Sequence, residues 1–478
     1  MASNNTQSTL APLLAQISPD EVVFRDSPSY SSLAAPFTAS DDDHPAVVLT
    51  PRSTESLVRI VRFLYATDLD FNIRGQGLRK ASARDVLIST THFRDFAYNA
   101  ETKEVTIGAG YNWIEVVEKL EKVDATHTIV AARTPHIGVA GCVQLGGFSW
   151  MSCEFGCISD PLNFLDAEVV LYDGRVVMAS EEEGLLFAMR GGGCGFGYVT
   201  KLILRVHPYP QKIYSGNIII PRTGLPIIAR GMADFAAKNT DPRVTMFLML
   251  LRDEVLDSMH ADDDVKGPPS DAPLVLQVYD AHGLAHARKQ FEFALQIPGA
   301  IENTRETGAL GVMSMQRNVL GLRGKMSNSW ATMSIPHLSY DTIMRAATWS
   351  DSLQQYGGSI PSCSVLLLEC FTVCPYVQGS AQDCAWPRPA EIKHTLLISS
   401  GARADAPIEE LELARRLAIA APQKILEEGL KATVSPQGME DFHDPLETYG
   451  DHHNKLVDLR RKYDPKRKFK GLIGHEYR

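Results

Sequence analysis

The feature that most constrains the fold of this chain is a set of three glycine-bearing loops, at residues 74–77, 138–148 and 190–197, set among short strand and helix signals. Glycine lets backbone N–H groups approach an anion closely, and successive N–H groups in one loop form a concave anion site. A single loop of this kind is more often a tight turn. Three in one stretch point instead to the phosphates of a dinucleotide. None of them is a nicotinamide-type fingerprint, because G-x-G-x-x-G fails throughout 191–197, and Gly324-Lys325 is followed by Met326, so no P-loop is present either.

Between these loops short strands alternate with amphipathic helices. AVVLT (46–50) precedes a helix on Leu57, Val61 and Leu64; FNIR (71–74) and VLIS (86–89) are strands; EVTIGAG (104–110) leads to a helix on Trp113, Val117 and Leu120, then to a strand over 128–132. AEVVLYDGRVVMAS (167–180) reads as a hairpin turning at Asp173-Gly174, and YVTKLILRVHP (198–208) as a long strand. From about residue 211 strands such as NIIIP, VTMFLMLL and LVLQVYD alternate with helices over 227–238 and 285–295, and a last helix over 453–462 stops before Pro465. The pattern predicts an α+β fold of two units.

A net charge of -10, with Asp and Glu exceeding Lys and Arg, argues against nucleic acid and for a small neutral or cationic ligand. With 44% apolar and 22% charged residues and no long uncharged apolar run, the sequence predicts neither a membrane span nor, at its N-terminus, a secretory signal. A cytoplasmic location is expected, where the eight cysteines remain thiols. The pairs Cys153/Cys157 and Cys370/Cys374 lack a histidine at ligand spacing, and the acidic loop at 262–273 lacks EF-hand spacing, so no metal is expected.

Five segments, PAVVLTPRSTESLVRIVRF (45–63), IRGQGL (73–78), HIGVAGCVQLGGFSWMSCEFGCISD (136–160), RGGGCGFGYVTKLILRVHP (190–208) and KYDPKRKF (462–469), occur in the order found in berberine bridge enzyme-like flavoproteins, within the vanillyl-alcohol oxidase group. The chain resembles that family over about 40–212 and 445–478. The resemblance implies a two-part PCMH-type FAD-binding domain and an α+β substrate domain with an antiparallel sheet covered by helices. The expected boundaries are 1–40 for an N-terminal extension, 41–212 for the FAD domain, 213–445 for the substrate domain and 446–478 for a tail returning to the FAD domain.

Carried over residue by residue, Arg74, Gly75, Gln76 and Gly77 match one pyrophosphate loop and Gly138, Val139, Gly141 and Cys142 the other. Gly146, Gly147, Gly156 and Asp160 fall on the flavin-contacting tract, and Val199 on the strand that touches the cofactor. Leu78 and Thr134 stand where relatives carry the histidine and cysteine that bind flavin covalently, so FAD is expected to be held without a bond. Phe148 and Gln76 replace smaller residues and narrow the channel.

The implied reaction is oxidation of a small organic molecule of secondary metabolism by hydride transfer to flavin N5, with molecular oxygen or another acceptor taking the electrons. Tyr449, His452, His453 and Glu369 are the candidate catalytic residues. The His452–His453 pair is favoured because it stands where the family's tail meets the ring, while an acid such as Glu369 at the end of an apolar strand is often solvent-facing. Trp386 is a candidate pocket wall. The lost anchors also permit a redox-neutral cyclase or isomerase, and Phe148 and Gln76 a binding protein without catalysis.

Overall fold

The computed structural model describes residues 2–78, 81–251, 274–372, 381–389 and 391–474. Cys374 and the acidic loop at 262–273 lie outside the described residues. The fold is α+β.

In the N-terminal half a four-stranded sheet runs Val22–Phe24, Val47–Leu49, Val86–Ser89, Phe71–Arg74. Its last two pairings are parallel, so a crossover is required, and the helix Thr54–Ala66 supplies it. That helix starts where Ser53 accepts a hydrogen bond from the Ser56 N–H at 3.2 Å, and it buries Leu57, Ile60, Val61 and Leu64 on one face. The second sheet is antiparallel, in the order Phe96–Asn99, Glu104–Gly108, Tyr198–Arg205, Phe164–Val170, Val176–Met178. A reciprocal cap between Asn112 and Glu115 opens the helix Trp113–Val123 that follows Glu104–Gly108.

Two sequence expectations fail. The apolar run 128–132 is not a strand beyond His127–Thr128, which pairs with His207–Pro208; Ile129 to Ala132 are buried by packing without joining a ladder. The helix expected over 285–295 is two pieces, Leu284–Gln290 and Glu292–Leu295, because Phe291 leaves helical geometry (φ -107, ψ 14) to bury its ring.

The C-terminal half is built on an antiparallel sheet in the order Ile301–Thr307, Ile213–Ile220, Leu274–Asp280, Val244–Leu250, Val365–Cys370, His394–Arg403, Met326–Trp330, with Met333–Ile335 also paired to His394–Arg403. The two-residue period of a strand divides its side chains between two faces. Met246, Leu248, Leu276, Val278, Leu366 and Leu368 share a core with the helices Leu225–Lys238, Tyr340–Ser352 and Ile408–Ile425. The alternate residues Phe247 and Tyr279 belong to the core of the N-terminal half. Strand register sets Asn217, Gln277, Phe247, Glu369 and Thr395 in one transverse row on that second face.

The tail lies on the N-terminal half. Tyr65 donates to Asp464 at 2.9 Å, Tyr463 to the Glu183 carbonyl at 2.8 Å, and Lys470 bridges to Asp70 at 3.0 Å. Phe469 is fully buried among Tyr65, Phe71 and Tyr198.

Candidate FAD and substrate site

The three glycine loops come together. A Cβ at Gly138 would lie 2.9 Å from the Gln76 nitrogen, so only glycine permits the first loop to touch the second. The Gly193 N–H donates to the Gln144 carbonyl at 2.9 Å, joining the third loop to the second. Gln76 is held in place from both ends: its side chain donates to the Gly110 carbonyl at 3.1 Å, and its carbonyl accepts from Arg323 at 2.6 Å. Gly75 meets nothing closer than 3.8 Å at its Cβ position and Gly141 faces open space. Neither position is crowded, and without side chains at 75 and 141 the backbone of both loops stays accessible, as the diphosphate of FAD would require.

Arg74 is anchored to protein carbonyls. Its guanidinium is buried and donates to the carbonyls of Ala81 at 2.8 Å, Leu33 at 3.2 Å and Ala34 at 2.5 Å, so it ties the N-terminal segment to the first loop. Gly77 (φ +68) closes over this side chain, and half-buried Leu78 follows.

The expected ring end is walled by aromatics. Gly146 (φ +102) and Gly147 (φ +72) turn the backbone beneath Trp386, whose ring lies 3.1 Å from the Gly146 Cβ position. Phe148 packs on Trp386 and Phe371, with centroids 5.8 and 5.5 Å away, and Phe371 continues to Phe247 at 5.7 Å. Trp150 stacks on Phe247 at 4.1 Å and on Tyr279 at 5.7 Å. Trp150 was not singled out from sequence, although its place two residues beyond Phe148 in the glycine tract was a readable signal.

Segment 384–388 from the C-terminal half is clamped onto the same tract. Cys384 and Ala385 donate to the Arg190 carbonyl at 3.0 and 2.8 Å, and Arg388 pairs with Asp160 at 2.5 Å, both fully enclosed. Asp160 also accepts from the Cys157 N–H at 2.7 Å. Gly156 (φ +80) ends the short helix Ser152–Phe155, and Val199 is a core residue paired with Val169. Asp160 and Val199 thus both have protein partners.

Thr134 donates to Gln316 at 2.8 Å, Gln316 to Gln277 at 2.8 Å, and Gln277 to Asn217 at 3.1 Å, a relay running from the second glycine loop into the transverse row. Half-buried Cys142 has its sulfur 2.9 Å from the Gly147 Cβ position, and burial pushes its thiol up to about 12, a shift that Trp113 and Arg133 oppose.

Glu369 is 1% exposed, not solvent-facing as an acid at a strand end often is. One of its oxygens is ion-paired with Arg133, which also lies 4.5 Å over the Phe247 ring, while Oε2 is buried without a hydrogen-bond partner. Burial raises its pKa, and Arg133 acts against the rise. The other candidates sit elsewhere. Tyr449 is fully buried and donates to the Gly191 carbonyl at 3.1 Å, and His452 meets the Ala385 carbonyl at 3.2 Å and the Phe187 ring at 5.3 Å. His453, next on the same helix, is half-buried.

Glycine loops that meet on an α+β base, faced by an antiparallel sheet bearing a buried carboxylate, are the setting in which the comparisons find a flavin-binding domain. Residues 45–180 match the FAD binding domain family. An uncharacterized FAD-linked oxidoreductase of Arthroderma benhamiae is 29% identical over 217 residues, 44% of this chain and 43% of that protein. The bifunctional solanapyrone synthase of Alternaria solani is 29% identical over 261 residues, 51% of this chain and 50% of that protein. The chain thus spans half or less of the length of these curated relatives. Physcomitrella patens BBE-like 1 has the same fold, with a TM-score of 0.76, 16% identity and coverage of 96% and 97% of the two chains. Residues 45–180 thus carry an FAD binding domain, and the chain is similar to FAD-linked oxidoreductases and berberine bridge enzyme-like proteins. No helix among the described residues is long and apolar enough to cross a membrane.

Proposed function

We propose that this chain is an FAD-dependent oxidoreductase that oxidises a small organic molecule, of the kind found in secondary metabolism, and holds its flavin without a covalent bond. What carries the reading is the buried Glu369 carboxylate, with one free oxygen, on the sheet face opposite an FAD-binding domain. When bound, FAD supplies the hydride acceptor and a route for the electrons to oxygen or another acceptor. The loops at 74–77 and 138–142 hold its diphosphate through backbone N–H groups. Glu369 is the base: Arg133 fixes Oε1, leaving Oε2 to take a proton from a substrate hydroxyl or amine. Gln277 and Gln316 orient polar groups of the substrate along the transverse row. This moves the base from the His452–His453 pair to Glu369, since His452 is engaged by Ala385 and Phe187. A reducing cytoplasm suits the cysteines of the described residues, which are thiols and form no disulfide with one another.

The test is anaerobic mixing of FAD-loaded protein with candidate alcohols and amines. Bleaching of the flavin is expected, slowed about 10²-fold or more in Glu369→Gln at equal flavin occupancy. A second reading, a redox-neutral cyclase or isomerase on the same scaffold, is favoured by the aromatic wall of Phe148, Trp150 and Trp386. Product formed with the flavin unbleached would select it. A protein that takes up no flavin would select a binding role.

A further inference from the structure

Away from the glycine loops, one side-chain cluster lacks any part in the proposed reaction. The strand Leu274–Asp280 ends in a fully buried acid, and the turn and short helix after it return two imidazoles to that acid, giving the pattern Asp280-x-His282-x3-His286. One ligand atom from each of the three lies within 4.8 Å of the others. His286 Nδ1 is 2.7 Å from Asp280 Oδ2, and the two imidazole centroids are 4.7 Å apart. A fourth donor arrives from a separate segment: Asp241 Oδ2 lies 2.9 Å from His282 Nε2.

We propose that Asp280, His282 and His286, completed by Asp241, form a zinc-class divalent metal site. Two imidazoles and two carboxylates are a donor set that Zn²⁺ accepts in tetrahedral geometry, at about 2.0–2.2 Å from each ligand atom. Closing the cluster to that radius requires His282 and His286 to swing inward, and side chains 38% and 34% exposed have the freedom to do so. In the metal-free arrangement each imidazole shares a proton with a carboxylate, and the metal replaces those shared protons as the link. The surroundings already supply outer support. The Gln290 amide, held by Asn239 at 3.2 Å, lies 3.3 Å from His286 Nε2 and fixes the orientation of that ring. Asp280 Oδ1 accepts from the His282 N–H at 2.8 Å and Asp241 Oδ1 from the Arg243 N–H at 2.9 Å, which fixes both carboxylates. Arg243, two residues from Asp241, bridges to Glu154 at 2.8 Å, and that carboxylate offsets its charge. With four protein ligands the site is structural: it pins residues 241–243 to the end of the strand that carries Tyr279, the residue stacked on Trp150.

The test uses the full chain stripped with a chelator and titrated with Co²⁺, whose ligand-field bands report tetrahedral coordination, followed by displacement with Zn²⁺. One Co²⁺ per chain is expected, displaced by one Zn²⁺. Affinity should fall at least about tenfold in His282→Gln and in His286→Gln, with no change in His44→Gln, a histidine outside the cluster. Both cluster histidines are partly exposed, so their variants are expected to fold, and far-UV circular dichroism verifies it. Wild-type binding no stronger than that of the folded double variant, or binding equally weakened by His44→Gln, overturns the proposal. The readout needs no flavin, so it stands or falls independently of the oxidoreductase reading.

Discussion

Arg133 and Glu369 form a buried ion pair across the boundary between the two halves: Arg133 immediately precedes Thr134 at the second glycine loop, and Glu369 lies on a central strand of the large sheet. Such a pair adds little net stability when intact, because desolvating both charges offsets their attraction. Removing one partner is costly. Arg133→Met should destabilise the protein by about 3–5 kcal/mol at neutral pH. With its cation gone, Glu369 keeps a folded pKa raised above the unfolded value, so the deficit should shrink as pH falls toward about 4, where the unfolded carboxyl also takes up its proton. Denaturant titrations at several pH values check both the size and the sign.

A second prediction concerns the clamp between Arg388 and Asp160. Arg388→Met leaves Asp160 buried with only neutral donors such as the Cys157 N–H, and should cost about 3–5 kcal/mol. Because the clamp holds segment 384–388, amide hydrogen exchange should quicken there before it does elsewhere. Uniform exchange across the chain would show that the pair does not act locally.

His207 and His394 make stability depend on pH. Burial pushes their imidazoles down to about 4 and about 3, with His207 Nε2 donating at 2.8 Å to the Asn163 amide oxygen. Both are held neutral in the fold and take up protons when unfolded, below about 6.5. Their contribution is therefore complete above about pH 6.5 and is lost as pH falls toward 4, on the order of 3 kcal/mol for His207. Melting temperature measured from pH 7 to pH 4 should drop, and His207→Gln should flatten the slope.

The tail should matter as much as an internal core. Phe469→Ala removes a fully buried ring from among Tyr65, Phe71 and Tyr198 and should cost about 3–5 kcal/mol, read as an earlier thermal transition.

Much of the backbone plan is legible because it rests on local rules. Ser53 and Asn112 cap the helices that the apolar spacing predicts, and the glycine loops read from sequence do meet, at Gly138 against Gln76 and at Gly193 against Gln144. What stayed hidden depends on register and long-range docking. Nothing local sets Glu369 beside Phe247, or brings Arg133 from residue 133 to meet it. The landing of Trp386 on Gly146 joins positions 240 residues apart in sequence, and neither flanking segment encodes it. The Asp280-x-His282-x3-His286 spacing is visible in the sequence, but Asp241 joins the cluster only through the fold.

Non-covalent flavin is the central claim, and the two positions that would carry a bond offer Leu78 and Thr134, while the nearby Cys142 thiol is held protonated by burial at neutral pH. The most direct measurement is acid precipitation of FAD-loaded protein, followed by spectroscopy of the two fractions and intact mass of the pellet. The account predicts yellow supernatant, a colourless pellet and the mass of the bare chain. A yellow pellet whose mass has grown by one flavin would contradict it.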